Sequence, residues 1–277
     1  MKTVFVFMAM LMVVIPLNSQ SWRFMTYNIR YDNPGDGADA WAARNEAVVN
    51  LIKHYHPLVL GIQEGLAHQV AYLDSNLTNY AYVGVGRDDG KEKGEFSAIF
   101  YDTTLLEVLE RNTFWLSDTP DKVSKGWDAA LERVCTYALF RIKERGQKFW
   151  VFNTHYDHIG QQARASSSQL IGEMIIRKTQ EEAFPVVLMG DFNATPDETP
   201  IKIIQSYLKD TYENSPSHSY GPQGTFWGFE LDALAERRID YIFCKDCQVE
   251  AHSHIDDRRP NNRHISDHLP VLVELSW

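Results

Sequence analysis

Residues 185–196 read PVVLMGDFNATP, an apolar run that stops abruptly in Gly-Asp-Phe-Asn. Val186, Val187, Leu188 and Met189 leave no polar face for water, which predicts a strand buried on both sides. Gly190 permits a turn or a close backbone approach, and Asp191 and Asn193 follow at once. Two residues apart in extended chain, they project the same way, so a carboxylate and a carboxamide emerge side by side at a strand end. Open α/β sheets bind their ligands at such ends. A lone Asp-x-Asn reads as an Asx turn; the functional reading gains weight because other apolar runs in this chain end the same way.

The first twenty residues are set apart. Lys2, the apolar residues 4–16, then Asn18, Ser19 and Gln20 have the order of a secretory signal peptide cleaved near residues 19–21. Its apolar run is too short for a comfortable membrane span, and no other stretch approaches one. An exported protein, periplasmic or secreted, without stable membrane insertion is therefore expected. Residues 21–277 carry no linker, repeat or low-complexity tract and read as one domain, expected to be a monomer. With 27 Lys+Arg against 37 Asp+Glu the formal charge is −10, and no basic stripe compensates. That composition argues against tight nucleic-acid binding through counterion release; nucleic acid remains a candidate only as substrate. Cys135 sits in an apolar run and reads as a buried thiol. Cys244 and Cys247 lack the second pair of a zinc site, which leaves a disulfide or two unpaired thiols.

In chain order, strands are expected at 22–29, 58–62, 133–142, 148–154, 186–189, 238–243 and 270–276. Residues 80–86 and 96–101 form a hairpin-like pair, and 105–109 continues the same antiparallel pattern. Helices are expected at 41–54, 65–77, 161–182 and 200–208. Residues 31–40 read as a mobile rim, and 113–128 and 215–228 as loops. Strands alternating with helices, with strand pairs intervening, lead to mixed sheets with helices outside.

The strand ends collect Asn28, Glu64, His155, Asp157, His158, Asp191, Asn193, Asp240, Asp267 and His268. All are carboxylates, carboxamides or imidazoles, without a Ser or Cys nucleophile motif or a glycine-rich phosphate loop. Hard oxygen donors of this kind suit Mg²⁺ or Mn²⁺ better than a closed zinc cage. Each residue alone has an ordinary structural explanation, a turn, a helix cap or a core ion pair; six strand ends repeating the same chemistry do not.

These residues fall in the motifs YNIR (27–30), QE (63–64), NTHYDH (153–158), GDFN (190–193), RIDYIF (238–243) and SDHLP (266–270). In this order they resemble the endonuclease/exonuclease/phosphatase superfamily, and GEFSAIFY (94–101) and TFWLSDTPD (113–121) resemble its exported bacterial branch with a His-x-Asp-His motif. The resemblance covers essentially all of residues 21–277. It implies an α/β (α+β) four-layer sandwich, two mixed β-sheets packed face to face with helices on the outside. It also implies Glu64 as principal Mg²⁺ ligand with Asn28 and Asp267 near the metal, Asp191 orienting or deprotonating water, and Asn193 holding a phosphoryl oxygen. His268 would face the phosphate, held by Asp240, with His155 donating from the other side and Glu95 orienting it.

Attack on a phosphoester adds negative charge to oxygens that are already anionic, so donors and a metal supply most of the catalysis. The expected activity is metal-dependent phosphoester hydrolysis by water, on a small or a sugar- or lipid-linked phosphate; a secreted nuclease is the alternative. His158, Arg164 and Trp227 are candidate substrate contacts, with Arg238 a further donor. Trp41, Arg44, Phe226, Phe229 and the loop from Trp115 to Trp127 complete the candidate rim. A non-catalytic module would have lost one of Glu64, Asp191, Asn193, Asp240 or His268. A zinc hydrolase built on His155, Asp157 and His158 fails because those three do not share one face of a strand.

Overall fold

Two six-stranded mixed sheets pack face to face. The computed structural model describes residues 20–180, 182–216 and 219–277; apart from Gln20, the expected signal peptide lies outside them. The first sheet contains β1 (Trp22–Asn28), β2 (Val59–Gln63), β3 (Tyr80–Val83), β4 (Ile99–Asp102), β11 (Gln248–His254) and β12 (Val271–Ser276), in the order β11-β12-β1-β2-β4-β3. The second contains β5 (Leu106–Trp115), β6 (Val134–Ile142), β7 (Lys148–His155), β8 (Val186–Asp191), β9 (Lys209–Asp210) and β10 (Asp240–Lys245), in the order β5-β6-β7-β8-β10-β9. Helices α1 (Trp41–Tyr55) and α2 (Ala67–Asn76) cover the outer face of the first sheet. Helices α3 (Gln161–Thr179) and α4 (Thr199–Gln205) cover that of the second.

Period-two alternation sorts each central strand between two cores. In β1, Trp22 and Phe24 enter the core between the sheets while Met25 and Tyr27 meet the helices; in β8, Val187 and Met189 point inward and Val186 and Leu188 outward. This explains why these strands are apolar on both faces. The inward parity continues to Asn28, Gln63, His155, Asp191 and Asp240. β1 runs parallel to β2 and β7 to β8, whereas β10 and β12 run antiparallel to their neighbours. Four strands therefore end, and two begin, at one end of the sandwich.

One layer below that end, polar side chains join the sheets. The Asn153 amide donates to the carbonyls of Ile62 and Ala98, both at 2.9 Å, and its oxygen accepts from Gln63 Nε2 at 2.7 Å. Gln63 also donates to Thr26 Oγ1 at 3.0 Å. All three side chains are fully buried. Gly61 makes room for this lock, because a Cβ there would lie 2.7 Å from both Asn153 Oδ1 and Met189 Sδ.

Several elements differ from expectation. The rim at 31–40 is packed: it holds a 3-10 helix, Pro34–Asp39, whose Asp39 is buried and paired with Arg259 and Arg263. Strand β5 starts the second sheet instead of extending the β3–β4 pair, and it runs to Trp115, inside the expected loop at 113–128. The edge strands β9 and β11 carry too few apolar residues to register as strands. Cys244 and Cys247 form a disulfide and Cys135 is a buried free thiol. Among the described residues no helix is long and apolar enough to cross a membrane.

Replacing Asn153 by leucine keeps the volume but removes the side-chain donor to the Ile62 and Ala98 carbonyls and the acceptor of one Gln63 amide hydrogen bond. The expected loss is about 3 kcal/mol of unfolding free energy, read as a lower urea midpoint; a loss under about 1 kcal/mol would mean the lock does not hold the sheets.

Candidate active site

The polar strand ends meet around Asp191. Gly190, with φ of 150°, lets β7 approach so closely that a Cβ would overlap the Thr154 carbonyl. In register, His155 lies opposite Asp191 on one side and Asp240 on the other. Asp191 Oδ2 accepts from Asn28 Nδ2 at 3.0 Å and lies 3.5 Å from His155 Nε2 and 3.7 Å from His268 Nε2. Its Oδ1 accepts the Asn193 amide N–H at 2.9 Å, so the turn is indeed an Asx turn, with Asn193 at φ 47°. Burial and the neighbouring Asp240 raise the Asp191 pKa against the pull of both histidines.

The two histidines are held in opposite states. Burial would strip the proton from His268, but Asp240 and Asp191 overcome it and hold the pKa well above its ordinary value. His268 Nδ1 donates to Asp240 Oδ2 at 2.9 Å, and the Thr225 hydroxyl donates to the same oxygen at 2.6 Å. His155 is pushed down to about 3 by burial and by Arg133, so it is neutral. The Asn193 carboxamide donates to the Tyr156 carbonyl at 3.0 Å, which fixes its orientation, and to His155 Nε2 at 3.1 Å. His155 thus accepts at Nε2 and carries its proton on Nδ1, 3.6 Å from Glu95 Oε2. Both Asn193 N–H groups are already engaged, which ties it to His155 before any phosphoryl oxygen. Glu95 itself is bound by Arg87 through two hydrogen bonds of 2.6 and 3.0 Å.

Glu64, at φ 64°, accepts from Asn28 Nδ2 at 3.0 Å and from the Tyr31 amide at 3.1 Å. Arg30 Nη1 lies 4.0 Å from Glu64 and 3.5 Å from Asp267, while its other nitrogens are fastened to Asp36. Burial, with Glu64 adding to it, raises the Asp267 pKa. Two oxygen ligands sharing one cationic nitrogen in a partly buried corner fit a hard divalent cation. Asp191, Asp240 and His268 also place ligand-type atoms within 4.8 Å of one another and could hold a metal.

A cleft of about 450 Å³ opens over this floor, lined among others by Glu64, His155, His158, Asp191, Asn193, Asp267 and His268. Asp240 lies behind His268 and does not line it. The cleft brings in residues that were not foreseen: Arg30, Tyr31, Arg133 and Arg237, with Leu131 and Ile239. Arg133 Nη1 is buried without a partner among the described residues, while its Nη2 reaches His158 Nδ1 at 3.0 Å and its Nε pairs with Asp157 at 3.3 Å. Arg30 in YNIR and Ile239 in RIDYIF lay inside quoted motifs, and Arg133 began an expected strand, but none of these patterns says that the side chain turns into the cleft; Tyr31, Leu131 and Arg237 carried no such signal.

Other candidates lie elsewhere. Asp157 accepts the amides of Ile159 and Gly160 ahead of α3. Arg164 turns to the Asp157 carbonyl and to Glu198, away from the cleft. Trp227 packs against His264 and Arg258, and Phe226, not Trp227, faces the cleft, lying 4.9 Å from His268. Arg44 is buried and binds the carbonyls of Ile29, Arg30 and Asp39, with Trp41 beside it. Trp115 is buried and donates to the Arg87 carbonyl, and Arg238 pairs with Asp210 at 2.8 Å.

Comparison with known proteins agrees with this geometry. The model of the Endonuclease/Exonuclease/phosphatase family matches residues 25–268. A solved mannosyl-6-phosphatase from Bacteroides thetaiotaomicron is 38% identical, with a TM-score of 0.89 over 93% of this chain and all of that one. A family member from Bacteroides vulgatus is 37% identical, with a TM-score of 0.88 over 93% of this chain and 99% of that one. Mouse nocturnin is 23% identical over 92% of this chain and 65% of its own length. With its strand ends gathered at one cleft and the family pattern running almost from end to end, the chain belongs to the Endonuclease/Exonuclease/phosphatase family of phosphoester hydrolases.

Proposed function

We propose that the chain is a divalent-metal-dependent phosphatase that removes phosphate from a sugar or a similarly small carrier, by attack of water at phosphorus. The observation that carries this reading is Asp191 Oδ2, a buried carboxylate oxygen set among Asn28, His155 and His268 at the floor of the cleft. Its raised pKa makes it a better base than a free aspartate. Glu64 and Asp267 would hold Mg²⁺ or Mn²⁺, with Asn28 orienting Glu64. They are preferred to the Asp191, Asp240 and His268 group because Asp240 lies behind His268, which it binds through Oδ2, and does not line the cleft. When bound, the ion supplies Lewis-acid neutralisation of phosphoryl charge.

The chain's own groups divide the remaining work. Asp191 takes the proton of the attacking water. His268, charged and backed by Asp240, presents Nε2 to the oxygens where negative charge builds. Arg30, Arg133 and Arg237 line the cleft; Arg30 is paired with Asp36 and Arg133 with Asp157, and the Arg133 Nη1, buried without a partner among the described residues, suits the second charge of a monoester. A cleft of about 450 Å³ accommodates a sugar phosphate. The mannosyl-6-phosphatase relative supports the same substrate class. The charged start and apolar run of residues 1–16 support export to the periplasm or the medium.

Purified protein should release phosphate from hexose 6-phosphates with Mg²⁺ or Mn²⁺ and lose this activity reversibly to chelator. Nicking of plasmid DNA without phosphate release would reverse the substrate assignment. Asp191→Asn and His268→Gln should each lower kcat by about 10³-fold or more at unchanged thermal midpoint. A folded variant near the wild-type rate would contradict the assigned roles. Arg133→Gln should raise KM for a sugar 6-phosphate about tenfold and affect a methyl diester of the same sugar phosphate less; equal effects would deny Arg133 a part in choosing monoesters.

A further inference from the structure

Two histidines outside the cleft are set apart by what their rings lack. His252 and His254 alternate on β11, so both leave the same face of the strand, and they are 4% and 1% exposed. Their ring centroids are 5.1 Å apart with the planes at 71°. The Tyr212 ring lies against both, stacked on His254 and edge-on to His252.

Hydrogen bonds fix both tautomers. His254 Nδ1 lies 2.7 Å from the Pro222 carbonyl, which only accepts, so Nδ1 carries the proton. The Thr211 hydroxyl donates its own proton to the Ile242 carbonyl at 2.6 Å and therefore accepts from His252 Nδ1 at 3.0 Å. Each Nε2 is left as a bare lone pair, buried and without a partner among the described residues. Burial also holds both rings neutral. Arg238, stacked on Tyr212, is matched by Asp210 and Glu213, so its charge does not stand unopposed beside them.

Imidazoles whose second nitrogen donates to a carbonyl or hydroxyl are poised as metal ligands. Two imidazoles bound through nitrogen to one tetrahedral zinc at about 2.0–2.1 Å have centroids about 5 Å apart, the separation seen here. The buried hydroxyl oxygens of Ser215 and Ser219 likewise have no partner among the described residues. Ser219 precedes Tyr220, whose backbone pairs with His252 and His254. We propose that His252 and His254 form a second metal site, separate from the catalytic cleft, for a borderline divalent cation such as Zn²⁺ or Ni²⁺. Water or the serine hydroxyls complete its shell. The ion would tie the segment that holds Thr211 and Tyr212, beside β9, to β11 in the other sheet.

Equilibrium dialysis of the full chain against Zn²⁺ in excess Mg²⁺ tests this. Wild type should bind one Zn²⁺ that Glu64→Gln and His268→Gln retain, and His252→Gln and His254→Gln should each weaken it by about tenfold or more. Unchanged zinc binding in the His252 and His254 variants, or none in wild type, would overturn the proposal. Should those variants not fold, ¹⁵N spectra of the wild-type imidazoles decide: zinc should shift both Nε2 resonances, and unshifted resonances would overturn it equally.

Discussion

The carboxamide of Asn153 is the contact on which the rest of the structure depends. It reaches from β7 to the carbonyls at the end of β2 and beside β4, and takes a hydrogen bond from Gln63 in return. A buried polar network of this kind fixes one geometry, because any slippage leaves several groups unsatisfied. It sets the separation of the two sheets one layer beneath the cleft. Asn28, His155 and Asp191 occupy the next inward positions on the same strands. The site is the polar termination of the inter-sheet core, and its side chains inherit the order of that core.

Electrostatics then differentiates chemically similar groups. His155 and His268 are both buried against Asp191, yet Arg133 beside the first favours the neutral ring and Asp240 beside the second favours the cation. The pair resembles a divided acid–base set, in which environments push like groups to opposite charge states. Asp191 sits between them as the shared carboxylate. Glu64 and Asp267 form a separate corner, where two carboxylates face one cationic nitrogen of Arg30 at the cleft surface. The tight backbone at Arg30, Glu64 and Asn193, all at positive φ, follows from turning the chain at the strand ends without moving these side chains out of the cleft.

The central strands were legible because burial on both faces demands runs such as VVLM, and strand parity carries that burial directly to the polar residue at the end. The floor of the cleft was legible for the same reason. Arg133 and Arg237 were not, because they enter from loops whose course depends on distant packing. Trp227 and Arg164 were misplaced because residue type suggests a contact without saying which way a loop turns. Strand β11, at the sheet edge, carries Val249 among polar residues and two histidines, and so lacks the alternation that marks a strand. Asn153 lay inside a quoted motif, but its bridging of the sheets needed the second sheet to be in place.

Direct attack by water, with no covalent enzyme intermediate, is the central claim about this site, since among the described residues no serine or cysteine lines the cleft and His268 there is assigned to charge stabilisation. The measurement that addresses it is the stereochemical course at phosphorus, using a sugar phosphorothioate made chiral at phosphorus with ¹⁸O and hydrolysed in ¹⁷O-labelled water, so that the thiophosphate released is itself chiral. A single in-line displacement by water predicts inversion of configuration. Retention would show a phosphorylated enzyme and contradict the account.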